Sequence, residues 1–472
     1  MEKPGTEGPR PVRLRKQEFS GRINGDLKIE FAPQAVTAHA GLELFRRYFG
    51  LIALNSRVRR HFRTHDLGGD YSVVQLILVF VALWLTGGRR LRHVAFIGDD
   101  PLVQRLCGLT SLPSDRSLSR WLGRFTIDSL QALIALNSEL VTEKLTQLEL
   151  ARITLDFDGT VLSTGDQVGL AARGYNPHNR HAKSYFPLLC HVAQTGHFLA
   201  VMNRPGNCHD AKGGALHFIR DCIKKARAQF PHAVIEARVD SAFFLREMIE
   251  LFEQEKVEYA VKVPLWNWLP FTDLVAHRAR WRRAASSDMV YFRQTIYMTR
   301  WERSIDVTIY RIKLSDRQRE PVTQLDLFSP NDGVYEYQVI ASNKTLEAQN
   351  LMDFFNGRCA MEHDIAELKG EFAFDVIPTK DWEANSAHQQ LSLLGYNLVK
   401  NFQMDANLTQ KRSSGSSRTA IFSFESLKTL RFEWINAAGR IVNASGAKIL
   451  RINSNWSRRS RFERVQAALR AA

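Results

Sequence analysis

The stretch Arg152-Ile-Thr-Leu-Asp-Phe-Asp-Gly-Thr-Val-Leu162 restricts the fold of this chain more than any other. Ile153, Thr154 and Leu155 favour a strand, and Gly159 breaks the run after two Asp separated by one Phe. Side chains at i and i+2 of a strand point to one face. Asp156 and Asp158 therefore stand side by side at the carboxyl end of a buried strand. Adjacent carboxylates repel, and the arrangement is costly unless a cation or a shared proton offsets it. The expectation is a metal or acid/base site. The plain alternative is a chance pair at a strand-to-turn exit.

Beyond this strand the elements come in a definite order. A basic loop runs from Arg173 to Lys183 and contains Arg180. Ser184–Ala193 and His197–Arg204 are β-rich runs separated by Gln-Thr-Gly, the pattern of a hairpin. Ala211–Phe230 reads as a helix, Ala233–Val239 as a strand, Ala242–Glu255 as a helix and Val257–Val263 as another strand. Asp240 stands at the end of the fourth strand, and strand ends deliver side chains to a shared cleft. This is an α/β pattern, a mixed sheet flanked by helices, over 149–263. Residues 264–340 break the alternation and read as a β-rich insertion. They hold Trp266, Trp268, Trp281 and Trp301 and the basic run Arg278–Arg283. One long helix is expected from about Lys344 to Glu371, with Arg358, Glu362 and Lys369 along one stripe. Alone, that stripe is an exposed i, i+4 ion pair worth a few tenths of a kcal/mol. An amphipathic helix over Trp382–Met404 then packs on the sheet and completes the core at 405.

Charge narrows the partners. Among 472 residues, 64 Lys and Arg face 49 Asp and Glu, a net charge of +15. Such a surplus suits a polyanion, because each neutralised phosphate releases condensed counterions. Residues 1–34 read as a basic mobile arm with one short strand at Leu27–Phe31, and 406–472 as a basic tail with Ser/Gly at Ser413–Ser417 and a hairpin about Gly439 and Gly446. Residues 35–148 are helical in pattern and include a buried helix at Val73–Leu85. In Pro113-Ser-Asp-Arg-Ser-Leu-Ser-Arg-Trp-Leu122, Ser114 or Asp115 caps a helix whose exposed face carries Arg116 and Arg120. A short helix before it and a Gly-containing turn suit a helix-turn-helix that binds DNA. Five cysteines without a C-x-x-C pair fit a reducing compartment. No apolar leader opens the chain, and the longest apolar run, Val73 to Thr86, falls short of the roughly 18–20 residues that span a bilayer. A cytoplasmic protein with no membrane partner is expected.

Three motifs meet a known family. Asp-Gly-Thr at 158–160, Asp-Ser-Ala at 240–242 and Phe355-x2-Arg358-x3-Glu362-x6-Lys369 together resemble the DDE transposases of bacterial insertion sequences. The likeness is to the group with an RNase H-like core, a β-insertion and a Y-x2-R-x3-E-x6-K signature, and it covers about 150–405. Phe355 departs from the Tyr of that signature, so no role for a tyrosine hydroxyl carries over. The resemblance implies that Asp158, Asp240 and Glu362 hold two Mg²⁺ ions, with Mn²⁺ able to substitute. Water would cut a phosphodiester and free a 3′-hydroxyl, which would then attack target DNA. Arg358 and Lys369 would contact phosphates near the cut, beside Arg116, Arg120, Arg180 and Lys183 as further DNA-binding residues. Double-stranded DNA (terminal inverted repeats and target) is the implied partner, with a homodimer in the DNA complex of a nucleoid-associated protein.

Other readings of the same residues are weaker. Asp156-Phe-Asp158-Gly-Thr also resembles the first motif of haloacid dehalogenase-like phosphatases, with Asp156 as nucleophile and Asp158 as acid/base. That fold needs a parallel sheet and an early crossover helix, where this chain has a hairpin pattern. A catalytically inactive, transposase-derived DNA-binding protein would have no need of all three acids. Tyr175 is the sole candidate for a recombinase nucleophile. His209 and Asp210 look like a ligand pair but read better as a solvent-facing His beside a helix-capping Asp. Asp156, on the same face as Asp158, is a supporting carboxylate.

Overall fold

Nearly every residue of the first strand, β1 (Arg152–Gly159), is buried or half-buried, because the strand lies inside a nine-stranded mixed sheet. The computed structural model describes residues 34–471 apart from 175, 177–178, 180, 209–210, 266–268, 285–288, 314–333, 412–419 and 445. The expectations for the arm at 1–33, its strand at 27–31, Tyr175, Arg180, His209, Asp210, Trp266, Trp268 and Ser413–Ser417 lie outside the described residues.

The hairpin pattern forms β2 (Leu188–Val192), antiparallel to β1, and β3 (His197–Met202), antiparallel to β2. Helix α7 (Ala215–Gln229) crosses to β4 (Val234–Val239), parallel to β1, and α8 (Arg246–Gln254) crosses to β5 (Glu258–Lys262), parallel to β4. The order β3-β2-β1-β4-β5 is that of an RNase H-like core. The inserted segment does not form a separate sheet. Its strands β6 (Met289–Met298), β7 (Arg303–Lys313) and β8 (Tyr335–Ser342) extend the core sheet antiparallel from β5, in the order β8-β7-β6.

Helices α1 (Leu42–Leu51), α2 (Leu54–His61), α3 (Val73–Leu85), α4 (Pro101–Cys107), α5 (Asp115–Leu122) and α6 (Ile127–Thr146) precede the sheet. A reciprocal cap between Ser72 and Gln75 starts α3, and every residue from Leu76 to Leu85 is buried. Beyond β8 come α9 (Ala348–Asn356), α10 (Cys359–Phe372) and α11 (Trp382–Asp405). The amphipathic reading of α11 is corrected, since Ala384 through Gln403 are all buried. This helix runs between the first six helices and the sheet, and most of its buried polar residues find partners inside the protein. Asn397, for example, bonds both backbone groups of Phe198, at 3.1 and 2.8 Å. Gly395 permits the close crossing, for a Cβ there would lie 2.8 Å from the Trp84 ring.

The C-terminal segment closes the helical unit. A hairpin of β9 (Gly439–Ala444) and β10 (Ala447–Ile452) pairs with Val36–Thr37, and Trp434 and Phe402 stack on Phe45 at 5.7 and 4.2 Å between ring centroids. A last helix, α12 (Arg459–Ala471), ends the described chain. Among the described residues no helix is long and apolar enough to cross a membrane.

Candidate active site

Parallel pairing of β1 with β4 puts Asp156 opposite Arg238. Two residues farther along each strand stand Asp158 and Asp240, so the register that pairs the first two also brings the second two to one sheet edge. Asp156 and Arg238 are both fully buried and form a bidentate pair, Nε to Oδ1 at 2.6 Å and Nη2 to Oδ2 at 2.7 Å. Burial alone would raise the Asp156 carboxyl, but Arg238 and His191 outweigh it and hold it below its ordinary value. At the edge, Asp240 turns the chain by accepting a bond from the Ala242 amide at 3.0 Å.

The third acid comes from the helices after β8. The single helix expected over 344–371 is corrected to two, with a tight turn at Gly357–Arg358 between α9 and α10. Arg238 explains the break. Its third nitrogen donates to the Phe354 carbonyl at 2.6 Å, and a Cβ on Gly357 would lie 2.3 Å from that nitrogen. The chain therefore tightens to three-residue turns, Arg358 N to Phe355 O and Met361 N to Arg358 O. This aims Arg358 and Glu362 at the ends of β1 and β4.

Arg358 then stands among all three acids. Its Nη2 lies 3.1 Å from Asp158 and 3.5 Å from Asp240, and its Nη1 lies 3.3 Å from Glu362. The exposed i, i+4 pair expected from spacing alone is corrected: the Arg358 side chain is only 12% exposed, against 18%, 30% and 59% for Asp158, Asp240 and Glu362. Burial would lower the guanidinium's pKa, and the surrounding carboxylates more than reverse this. Two turns along α10, Lys369 donates to the Val161 carbonyl at 3.2 Å, beside the Asp-Gly-Thr turn. Burial draws its pKa down against the pull of Asp375 and Asp158. Phe355 is buried with Ala260, Tyr310 and Ile340, so its position serves packing.

Behind the site runs a buried chain of ionisable groups that the sequence reading did not single out. His191 meets Asp156 at 3.4 Å through Nδ1 and Asp364 at 2.9 Å through Nε2. Asp364 in turn meets Lys400 of α11 at 3.3 Å. Burial would lower the His191 pKa, but its two carboxylate neighbours raise it. A signal for Arg238 was present, since it precedes Asp240 by two residues as Asp156 precedes Asp158. His191, Asp364 and Lys400 carried none. The phosphatase reading is corrected here: Asp156 is fully buried and spent on Arg238, so it cannot attack a substrate, and an antiparallel hairpin succeeds β1.

Three carboxylates are the hard oxygen donors that a divalent ion takes. Among the described residues no three His, Cys, Asp or Glu group around one point, and between these three acids lies a guanidinium, 3.1 to 3.5 Å from each. The donor chemistry fits such an ion once Arg358 moves aside.

The proposed DNA-binding residues divide. Lys183 is tied to the Asp166 carbonyl at 2.8 Å. Arg120 is exposed on α5, whose Leu118, Trp121 and Leu122 face the core. Arg116 lines a groove of about 770 Å³ between the helical unit and the sheet, with Arg90, Arg92 and His93 on one side and Ser163 and Thr164 on the other. Arg89, also in the groove, pairs with Asp375 at 2.6 Å and donates to the Lys369 carbonyl at 3.2 Å, which joins the groove to α10. No carboxylate among the described residues pairs with Arg90, Arg92 or Arg116. Slight burial and the crowd of Arg92, Arg90 and Arg89 push the His93 pKa down.

A mixed sheet presenting acids from two parallel strand ends and a later helix defines a carboxylate-triad fold with a basic groove at its flank. The chain belongs to the DDE transposases: the family model for the transposase DDE domain, group 1, matches residues 19–472. It is a DNA transposase on that ground. Among solved structures it is similar to a piggyBac transposase synaptic complex with hairpin DNA, at 10% identity over 86% of this chain and 83% of that one, with a TM-score of 0.43. No curated protein matches the chain.

Proposed function

We propose that the chain cuts DNA at the ends of a bacterial insertion sequence and joins the freed 3′-hydroxyls to target DNA, with Asp158, Asp240 and Glu362 as the catalytic acids. The observation that carries this is the convergence of those three acids, from β1, β4 and α10, on the single guanidinium of Arg358. The acids would hold Mg²⁺ or Mn²⁺, which when bound supplies activation of the attacking oxygen and stabilisation of the leaving one. The protein's own part is positional. Arg238 fixes the relative height of the strand ends and of the helix that carries Glu362. Lys369, beside the Asp-Gly-Thr turn, is placed to meet a phosphate next to the cut. Arg90, Arg92 and Arg116, without carboxylate partners, hold the duplex by its backbone in the groove, a contact that positions DNA without reading bases. Terminal inverted repeats are the substrate, and a homodimer would pair two ends.

Asp158→Asn, Asp240→Asn and Glu362→Gln test the assignment in a cleavage assay on the DNA flanking the source gene. Each should abolish Mg²⁺-dependent nicking and leave duplex affinity within about twofold, about 0.4 kcal/mol, since the acids hold the ion and the groove arginines hold the duplex. Retained nicking by any one removes that residue from the triad. Nicking that persists in all three would end the proposal.

A further inference from the structure

Two arginines, Arg238 fully buried and Arg358 with its side chain 12% exposed, lie within a few residues of the triad and are held very differently. Arg238 makes three contacts of 2.6 to 2.7 Å, the lengths of strong charge-assisted bonds. Arg358 meets its three carboxylates only at 3.1, 3.3 and 3.5 Å. Its Nε is buried with no hydrogen-bond partner among the described residues. Arg238 is locked between two strands and a helix turn. Arg358 projects from the first residue before α10, where rotation of a long side chain carries its head out of the cluster without moving backbone.

The geometry points to a second role for Arg358, resting on the proposed carboxylate triad: it is the resting counter-ion of the three acids and competes with the divalent cation for the same oxygens. Without a cation, Asp158, Asp240 and Glu362 would repel and spread. Arg358 keeps them assembled, and its guanidinium, 3.1 to 3.5 Å from each acid, occupies the place between them that an ion would take. A DNA phosphate at the site offers the guanidinium a bidentate anion in exchange. Arg358 then leaves the carboxylates as DNA arrives, and the site becomes able to take metal only when substrate is in place. A residue acting solely as a phosphate contact would have no effect on the metal affinity of the DNA-free protein.

The test is Mn²⁺ binding to the full chain without DNA, by calorimetry and by electron paramagnetic resonance of the free ion, comparing wild type with Arg358→Gln. Glutamine removes the charge and keeps a polar head, and the variant should bind Mn²⁺ at least tenfold more tightly. Arg358→Met serves if the first variant fails to fold. Methionine likewise removes the charge from among the three carboxylates, so it too should tighten binding. A cut duplex end should tighten Mn²⁺ binding to wild type, and this coupling should vanish in Arg358→Gln, because linkage is reciprocal. Equal or weaker Mn²⁺ binding by the variants would overturn the inference. In that case loss of binding in Asp158→Asn would still uphold the carboxylate triad. Absence of Mn²⁺ binding in every protein would overturn both.

Discussion

Arg238→Met isolates the strut on which the site is built. Methionine fills most of the arginine's length and removes the three contacts of 2.6 to 2.7 Å to Asp156 and the Phe354 carbonyl. Asp156 is then a fully buried carboxylate that keeps only His191, at 3.4 Å. Breaking a buried pair by deleting one partner costs about 3–5 kcal/mol, because the surviving charge loses its compensation. Urea unfolding monitored by tryptophan fluorescence should show a loss in that range. Asp156→Leu combined with Arg238→Met replaces the pair by apolar side chains, an exchange that is often neutral or stabilising. The double variant should recover most of the lost stability.

Catalysis should not recover with it. The Phe354 carbonyl still lacks its donor, and the turn at Gly357 that aims Glu362 is no longer pinned. A displacement of about 1 Å at a reacting group can cost on the order of 10²-fold in rate. Nicking by the double variant should therefore stay about 10²-fold below wild type while duplex affinity is kept. Stability of the single variant within about 1 kcal/mol of wild type, the range of an ordinary substitution, would refute the reasoning. So would a double variant that cuts at the normal rate.

Gly357→Ala places a Cβ 2.3 Å from the same arginine nitrogen and 3.2 Å from the Phe354 carbonyl. Overpacking of this kind costs about 1–3 kcal/mol, and nicking should fall with the stability read by urea unfolding; an unperturbed variant would show that the turn is not fixed by this contact. Replacing Arg90, Arg92 and Arg116 together by Ala should weaken duplex binding equally for any sequence. It should also flatten the salt dependence of log K by up to about 3, near 0.9 per phosphate contact, measured by fluorescence anisotropy across a salt series. His191, whose folded pKa is raised, contributes stability that is complete below its unfolded value of about 6.5 and is lost as pH rises through the folded value. Urea unfolding of wild type from about pH 6 to 9 should show that decline, and His191→Gln should remove it.

How far the chain alone reveals its fold depends on whether a feature is local. Strand β1, the hairpin after it and the buried α3 all arise from patterns within some ten residues, and the structure places them at Arg152–Gly159, Leu188–Met202 and Val73–Leu85. The split of the helix expected over 344–371 was not legible. Phe354, Gly357 and Arg358 suit a helix by spacing, and the cause of the break is Arg238, more than a hundred residues earlier and on another element. The same holds for α11, which reads as amphipathic from its pattern. Its Asn397, for one, is buried because Phe198 and Asn137, far away in sequence, supply its bonds. Arg358 is the sharpest case. Spacing alone marks it as one half of an exposed pair with Glu362, whereas the fold surrounds it with three carboxylates from three elements. A pairwise motif cannot report that a third and a fourth charge arrive from elsewhere. It is that arrival which turns a weak surface contact into the electrostatic centre of the site.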